Sequence, residues 1–239
     1  MSLHLEAKQG QIAETVLITG DPLRARHFAK HLQDAYCYNH IRGMEGYTGF
    51  YQGRKISIQG TGIGIPSTAL YLHELICDYH IKTVIRVGTA GALQPHLKLG
   101  QIVLANKAMT DSAVVQHYHQ ATDNYPQASQ DLLQIARTSA EESGIAIQEG
   151  VVFSTDLFYS ETPDRYQPMV SKGVLAVEME TSMVYAMAQY FSVRALSLLT
   201  ISDHVFSGEA LAAEERELKT TEMLKLALKI TTKTDSSSA

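Results

Sequence analysis

The sequence predicts an α/β fold in which a mostly parallel β-sheet carries helices on both faces. Short apolar runs typical of buried strands alternate with longer segments of helical apolar spacing. The 239 residues are 45% hydrophobic and 19% charged, which is ordinary for a chain that buries a full core. No repeat or linker interrupts the pattern, so we expect a single domain over residues 1–230 and a disordered, Ser-rich tail at 231–239.

The first half of the chain contains four predicted strands and two predicted helices. Asp21 suits a helix N-cap and Pro22 the first helical position. Gln52 and Gly53 form a turn signal between two short strands. The strands are expected at residues 16–20, 47–51, 55–59 and 84–88, and the helices at 22–31 and 67–79.

The second half continues the alternation of strands and helices. Strands are expected at residues 102–105, 150–154, 175–177 and 195–201, and helices at 129–143, 178–191 and 211–230. Ligands of such sheets bind beyond the carboxyl ends of the strands. This rule directs attention to Gly20, Gly88, Glu178 and the pair Ser202–Asp203, which end predicted strands.

Composition and charge exclude several classes of function. The net charge is −5 without a basic block, which argues against a nucleic-acid partner. Cys37 and Cys77 form no CxxC pair, which favours a reducing compartment. No segment approaches the ~20 apolar residues of a membrane span, and the N-terminus lacks the apolar core of a signal peptide. We therefore expect a cytoplasmic protein without a membrane partner.

Two arginines mark candidate anion sites. Arg24 lies one turn into the helix that follows Gly20, where free N–H groups favour an anion, although an ordinary turn with an exposed Arg has the same pattern. Arg86 lies inside an apolar run, so either a carboxylate pairs with it or it faces a bound anion. A turn at residues 88–91 is expected to supply backbone donors beside it.

Acidic residues follow two later strands. Glu178 and Glu180 either complement a helix dipole or accept hydrogen bonds from sugar hydroxyls. Asp203 is either an N-cap or a proton donor at the mouth of a site. His204 has no second ligand at metal spacing, and no metal is therefore expected. The glycines at residues 60–64 do not form a dinucleotide fingerprint and are expected to allow close backbone packing. No nucleophile motif is present either, so covalent catalysis is not expected.

Together, seven segments resemble the nucleoside phosphorylase superfamily, specifically its hexameric purine nucleoside phosphorylases. They cover nearly the whole chain, from His4 to about Ile230, in family order and spacing. The segments are GDPLRA (20–25), IRGMEGYTG (41–49), RVGTAGAL (86–93), STDLFYS (154–160), VEMET (177–181), TISDH (200–204) and AAEER (212–216). The resemblance implies a mixed central sheet partly closed into a barrel and flanked by helices.

The resemblance also implies a role for each matching residue in phosphorolysis of purine nucleosides, with inorganic phosphate as co-substrate and no cofactor. Asp203 would be the proton donor, and Arg216 would swing toward it when the site closes. His4 and Arg42 would come from a neighbouring subunit of a hexamer built as a trimer of dimers. The implied phosphate site is Gly20, Arg24, Arg42, Arg86, Val87, Gly88 and Thr89. The implied nucleoside site is His4, Phe158, Glu178, Met179, Glu180, Ser202 and Asp203.

Four positions depart from the family pattern, and four alternative functions remain. Thr89 stands where Ser is usual, which keeps the hydroxyl, Glu45 stands where an apolar residue is common, and Thr181–Ser182 replaces a small apolar pair. Uridine phosphorylase is disfavoured because residues 161–163 lack the Gln and Arg that it uses to recognise a pyrimidine. Methylthioadenosine nucleosidase is disfavoured because that enzyme needs no arginines to bind phosphate. A non-catalytic nucleoside-binding protein is disfavoured because it would not need Asp203. A dinucleotide-binding oxidoreductase would need the missing glycine fingerprint.

Overall fold

The structure is a computed structural model that describes residues 2–119, 125–159 and 162–234. Within these residues, one mixed sheet contains all nine strands. Ser160 and Glu161 of the segments considered above lie outside these residues. The elements are β1 (Thr15–Thr19), α1 (Pro22–Ala29), β2 (Gln33–Asn39), β3 (Gly46–Tyr51), β4 (Arg54–Gly60), α2 (Ile65–Cys77), β5 (Thr83–Ala92), β6 (Ile102–Thr110), α3 (Gln130–Ser143), β7 (Ile147–Ser154), α4 (Gln167–Ser171), β8 (Ala176–Glu178), α5 (Thr181–Tyr190), β9 (Arg194–His204) and α6 (Ala213–Thr231).

Five of the strands close into a barrel. The strand order is β2-β3-β4-β1-β5-β8-β7-β6-β9, and β5 also pairs with β9. The pairs β1–β4, β1–β5, β5–β9, β6–β7 and β7–β8 are parallel, whereas β2–β3, β3–β4, β5–β8 and β6–β9 are antiparallel. The expected α/β domain with a mixed sheet partly closed into a barrel is confirmed.

Local sequence signals account for several element ends. Asp21 caps α1, because its carboxylate accepts the N–H of Leu23 at 2.8 Å and Pro22 occupies the first turn. Gly144 ends α3 in the left-handed conformation, with φ of 64°. Strand β2 was not expected, because it is an edge strand whose first four residues are exposed and polar or small in mixed order.

The glycines after Arg86 do not form the expected turn. Residues 88–91 continue β5, because each of them pairs in parallel with β9, with a shift of register at Ser202 between the partners of Ala90 and Gly91. On its other edge β5 pairs with β1 as far as Arg86 and then with β8 from Gly91. The change of partner opens a gap in the sheet beside residues 87–90. Gly88 is required there, since a Cβ would lie 2.8 Å from Cζ of Arg86.

Helix α5 lies at the centre of the core, since its residues 181–188 are all buried. It begins at Thr181, later than the predicted residue 178, because residues 176–178 form β8. Helix α6 ends at Thr231, and both Thr231 and Thr234 are buried. The packed chain thus extends past the predicted domain end at residue 230. Residues 235–239 of the predicted tail lie outside the described residues.

We expect the barrel core to carry much of the stability. Leu104 on β6 has no exposed surface, so Leu104→Ala should lower the free energy of unfolding by about 2–5 kcal/mol. The same change at Leu218, whose side chain is 69% exposed on α6, should alter it by less than about 0.5 kcal/mol. Denaturant unfolding at equal protein concentration measures both, and equal effects would contradict this view of the core.

Candidate functional site

A cavity of about 490 Å³ opens at the gap beside β5. It lies where the sequence analysis expected a ligand, at the carboxyl ends of β1, β8 and β9 and along β5. Eleven of the residues implied by the resemblance line it: Gly20, Arg24, Arg86, Gly88, Thr89, Phe158, Glu178, Met179, Glu180, Ser202 and Asp203. Sequence positions up to 183 residues apart, from Gly20 to Asp203, thus meet in one place.

A buried ion cluster forms the centre of this cavity. Nη2 of Arg86 lies 2.9 Å from Oε2 of Glu178 and 2.5 Å from Oε2 of Glu180, and Nε donates to Glu178 at 3.0 Å. All three side chains are almost completely buried. In this structure carboxylates therefore pair with Arg86, which was one of the two alternatives that the sequence left open.

Glu178 is fixed by the start of α5. Its carboxylate accepts the backbone N–H groups of Glu180 and Thr181 at 3.0 Å, and the buried hydroxyl of Ser154 also donates to it. Free N–H groups at a helix N-terminus favour a negative charge. Glu178 therefore complements the helix, as one alternative had it, and at the same time holds Arg86.

Glu180 is held from the opposite side by a residue that the sequence analysis did not assign to the site. The N–H of Gly64 donates to Oε1 of Glu180 at 2.5 Å. The glycines of this segment were expected only to permit close packing. Gly64 has φ of 97°, a conformation open to glycine, and this turns its N–H toward the carboxylate. The Gly-rich composition signalled close approach, but not to which partner.

Two carboxylates share one guanidinium, and their pKa values reflect this. Burial alone would lower the pKa of Arg86, but the charges of Glu180 and Glu178 outweigh burial and raise it above its ordinary value. Burial raises the pKa of Glu180; the charge of Arg86 opposes this shift, whereas the charge of Glu178 adds to it. Arg86 thus stays charged, and Glu180 holds a proton more readily than an exposed glutamate.

A second concentration of positive charge lies beside the cluster. Burial lowers the pKa of Arg24 most; the carboxylate of Asp21 opposes this, and the charges of Arg86 and Arg216 lower the pKa further. Arg216 lies on α6 outside the main cavity and joins Arg24 in lining a smaller adjacent one. The charges of Arg86 and Arg216 thus act against the ionised form of Arg24, and a bound anion would be favourable beside these three arginines.

The far end of the cavity combines aromatic and acidic groups. Phe158 projects from the loop after β7 with 70% of its surface exposed, and its ring meets Tyr159 edge to face. Ser202 donates its hydroxyl to Oδ1 of Asp203 at 2.6 Å. Nε2 of His204 lies 2.7 Å from the carbonyl oxygen of Leu97, so this histidine binds backbone. An exposed ring and a carboxyl group thus border the same open space.

Four of the implied site residues do not line the cavity. Val87 points into the hydrophobic core, and Arg216 donates to the carbonyl of Leu211 at 3.4 Å. His4 binds Glu74 on α2, with Nδ1 2.6 Å from Oε1. Arg42 lies in a 3-10 turn with φ of 56°. The chain by itself does not bring His4 and Arg42 to the cavity.

The side chains of Glu45 and Thr181, which depart from the family pattern, have hydrogen-bond partners, whereas the buried hydroxyl of Ser182 has none among the described residues. Glu45 is buried, accepts the Tyr47 hydroxyl at 2.6 Å and forms a two-pronged ion pair with Arg26. The hydroxyls of Thr181 and Ser197 lie 3.0 Å apart behind the cluster. The N–H of Ser182 donates to Ser154 Oγ at 2.9 Å, the same hydroxyl that binds Glu178. Glu45 thus joins α1 to β3 away from the cavity, whereas the other two lie at the start of α5.

Two further structural features concern metals and membranes. Among the described residues, no group of three His, Cys, Asp or Glu side chains is arranged to hold a metal ion. Over the same ranges, no helix has the length and apolarity to cross a membrane.

Comparison with known proteins gives a consistent result. A relative from Caldanaerobacter subterraneus, named purine nucleoside phosphorylase DeoD-type, is 48% identical over 231 residues, which is 96% of this chain and 100% of the relative. A relative of the same name from Bacillus cytotoxicus is 47% identical over 95% of this chain and 97% of its own length. The model of the phosphorylase superfamily matches residues 14–234, and the chain therefore belongs to the phosphorylase superfamily.

Proposed function

We propose that this protein is a purine nucleoside phosphorylase that acts in the cytoplasm as a homohexamer. It exchanges the purine base of a ribonucleoside or deoxyribonucleoside for phosphate in a reversible reaction. The observation that carries the proposal is that one cavity is lined by Arg24 and Arg86, by Glu178 and Glu180, which bind Arg86, and by Ser202 and Asp203. These are the kinds of group that phosphate, sugar and base of a nucleoside require.

The cationic end suits the attacking phosphate. Arg24 and Arg86 bind the phosphate oxygens by charge-assisted hydrogen bonds, with Gly20, Gly88 and Thr89 beside them and Val87 contributing only its backbone. Glu180 accepts hydrogen bonds from the ribose hydroxyls, and Met179 contacts the sugar. Phosphate held below C1′ attacks in an effectively intramolecular step, which supplies much of the rate enhancement.

The acidic end suits the leaving purine. As the bond between C1′ and N9 breaks, electrons pass to the base and the sugar becomes oxocarbenium-like. Phe158 stacks on the purine, and Asp203 gives its proton to N7, while a phosphate oxygen bonds to C1′. Arg216 approaches Asp203 as the site closes and stabilises the carboxylate that forms. Inorganic phosphate is the co-substrate, and the scheme uses no metal and no organic cofactor.

The positions of His4 and Arg42 support a site shared between subunits. Both residues lie on the side of α2 that carries Tyr71: the His4 ring meets the Tyr71 ring at 6.2 Å, and the charge of Arg42 acts on the Tyr71 hydroxyl. Neither lines the cavity of its own chain. Given to a neighbouring subunit, Arg42 completes the phosphate site and His4 meets the 5′-hydroxyl.

The proposal is tested by following release of the free base from inosine, adenosine and uridine with and without inorganic phosphate. We expect cleavage of the purine nucleosides that depends on phosphate and yields a pentose 1-phosphate. Cleavage without phosphate would instead indicate a nucleosidase. A preference for uridine would indicate a pyrimidine nucleoside phosphorylase. Binding of nucleosides without cleavage would indicate a non-catalytic protein.

Arg24→Ala should raise the KM for phosphate by about 10-fold or more, because a charge-assisted hydrogen bond contributes about 1.5–3 kcal/mol. The KM for the nucleoside should change much less. Lys30→Ala removes an exposed cation just after the same helix and should leave both constants unchanged. Initial rates at varied phosphate measure the effect. A phosphate KM equal to that of wild type would contradict the assignment of Arg24.

Asp203→Asn retains a hydrogen-bond donor but cannot transfer a proton to N7. Turnover of inosine should fall by roughly 10²–10⁴-fold, the usual contribution of a general acid. A 7-methylated purine nucleoside leaves without protonation, so the variant should cleave it nearly as fast as wild type does. Comparison of kcat for the two substrates separates the roles, and an equal loss on both would show that Asp203 is not the acid.

A further inference from the structure

An acidic side chain on α2 binds the extreme N-terminus of the chain. Glu74 is 8% exposed, and its carboxylate accepts the N–H of Leu3 at 3.3 Å and the N–H of His4 at 3.1 Å. The hydroxyl of Ser2 also donates to it, and Nδ1 of His4 lies 2.6 Å from Oε1. Terminal residues are usually frayed unless they are tied down, and here one carboxylate ties down three consecutive residues.

The contact with Glu74 determines which nitrogen of the His4 ring carries a proton. Burial would raise the pKa of Glu74, but hydrogen bonds from Ser2 and His4 outweigh it and lower the pKa, so the carboxylate is ionised. An ionised carboxylate only accepts hydrogen bonds, so Nδ1 must be protonated. In a neutral ring Nε2 is then an acceptor, and it points away from Glu74 because the two nitrogens lie on opposite sides of the imidazole.

The surroundings hold the ring in this orientation. The Tyr71 ring, buried one turn before Glu74 on the same helix, packs edge to face against it at 6.2 Å. Leu5, the next residue, is 2% exposed, and its carbonyl accepts the hydroxyl of Tyr79 at 3.0 Å. The His4 side chain is 17% exposed, so a small part of an otherwise enclosed side chain remains accessible.

We infer that Glu74 is a positioning residue that presents Nε2 of His4 as a hydrogen-bond acceptor to the 5′-hydroxyl of a nucleoside bound in the neighbouring subunit. The inference rests on the proposed function, which brings His4 to that site. Its consequence is a specificity: the enzyme prefers nucleosides with a 5′-hydroxyl over 5′-deoxynucleosides, and this preference depends on a residue that contacts no substrate.

The experiment compares kcat/KM for inosine and 5′-deoxyinosine in wild type, Glu74→Gln, Glu74→Ala, His4→Ala and the double variant His4→Ala/Glu74→Ala. Loss of one hydrogen bond should lower the ratio of inosine to 5′-deoxyinosine by about 3- to 10-fold in Glu74→Ala, and Glu74→Gln should lower it as well. Because Glu74 acts through His4, the double variant should resemble His4→Ala. Glu149→Gln, which changes a partly buried glutamate paired with Arg137, is the matched control and should leave the ratio unchanged.

Several outcomes would overturn the inference. Equal losses on both substrates in the Glu74 variants would show a purely structural role, and so would a further loss in the double variant beyond that of His4→Ala. Crystal structures of wild type and Glu74→Ala supply a readout that does not need activity: the His4 ring should leave its wild-type position, and a ring that stays would exclude positioning by Glu74. Absence of phosphate-dependent cleavage by wild type would overturn the proposed function alone, since the crystal structures still decide whether Glu74 positions His4.

Discussion

The guanidinium of Arg86, buried between the carboxylates of Glu178 and Glu180, is the interaction on which the arrangement of the site depends. Removing one partner from such a buried pair costs about 3–5 kcal/mol, because the remaining charge is left unpaired. The cluster joins β5, β8 and the start of α5, so the same contacts that stabilise the fold also fix the geometry of the cavity. In the proposed function, phosphate bound at Arg86 competes with Glu180 for the guanidinium and frees that carboxylate for the sugar.

The sheet provides the space that this cluster needs. Strand β5 pairs with β9 from Thr83 to Ala92, with one register shift between Ala90 and Gly91. On its other edge β5 pairs with β1 as far as Arg86 and with β8 from Gly91. The change of partner leaves a gap at the carboxyl end of β1, where the start of α1 adds the positive end of its dipole, which attracts anions. Closure of the barrel then brings β9, with Asp203 at its end, to the opposite side of the gap.

Local chemistry made part of this structure predictable. Asp21 and Pro22 predicted the start of α1, and the rule that ligands bind at strand ends predicted the place of the cavity. Both predictions were possible because they depend only on short segments of sequence. The sequence could not reveal that Arg86 pairs with a carboxylate 92 residues away, nor that Gly64 donates to Glu180, because these contacts are made by tertiary folding. The prediction of a turn at residues 88–91 was wrong, because pairing with β9 keeps these residues in a strand although glycine destabilises strands.

The account is tested most directly by a crystal structure of the protein with phosphate and a nucleoside analogue whose base is joined to C1′ through carbon and cannot leave. It predicts phosphate oxygens within hydrogen-bond distance of Arg24 and Arg86, directly below C1′, and Glu180 accepting hydrogen bonds from the ribose hydroxyls. A structure in which Arg86 remains bound to both glutamates while phosphate occupies another place would contradict the central claim that the buried cluster arranges the site, with Arg86 binding the phosphate and Glu180 the sugar.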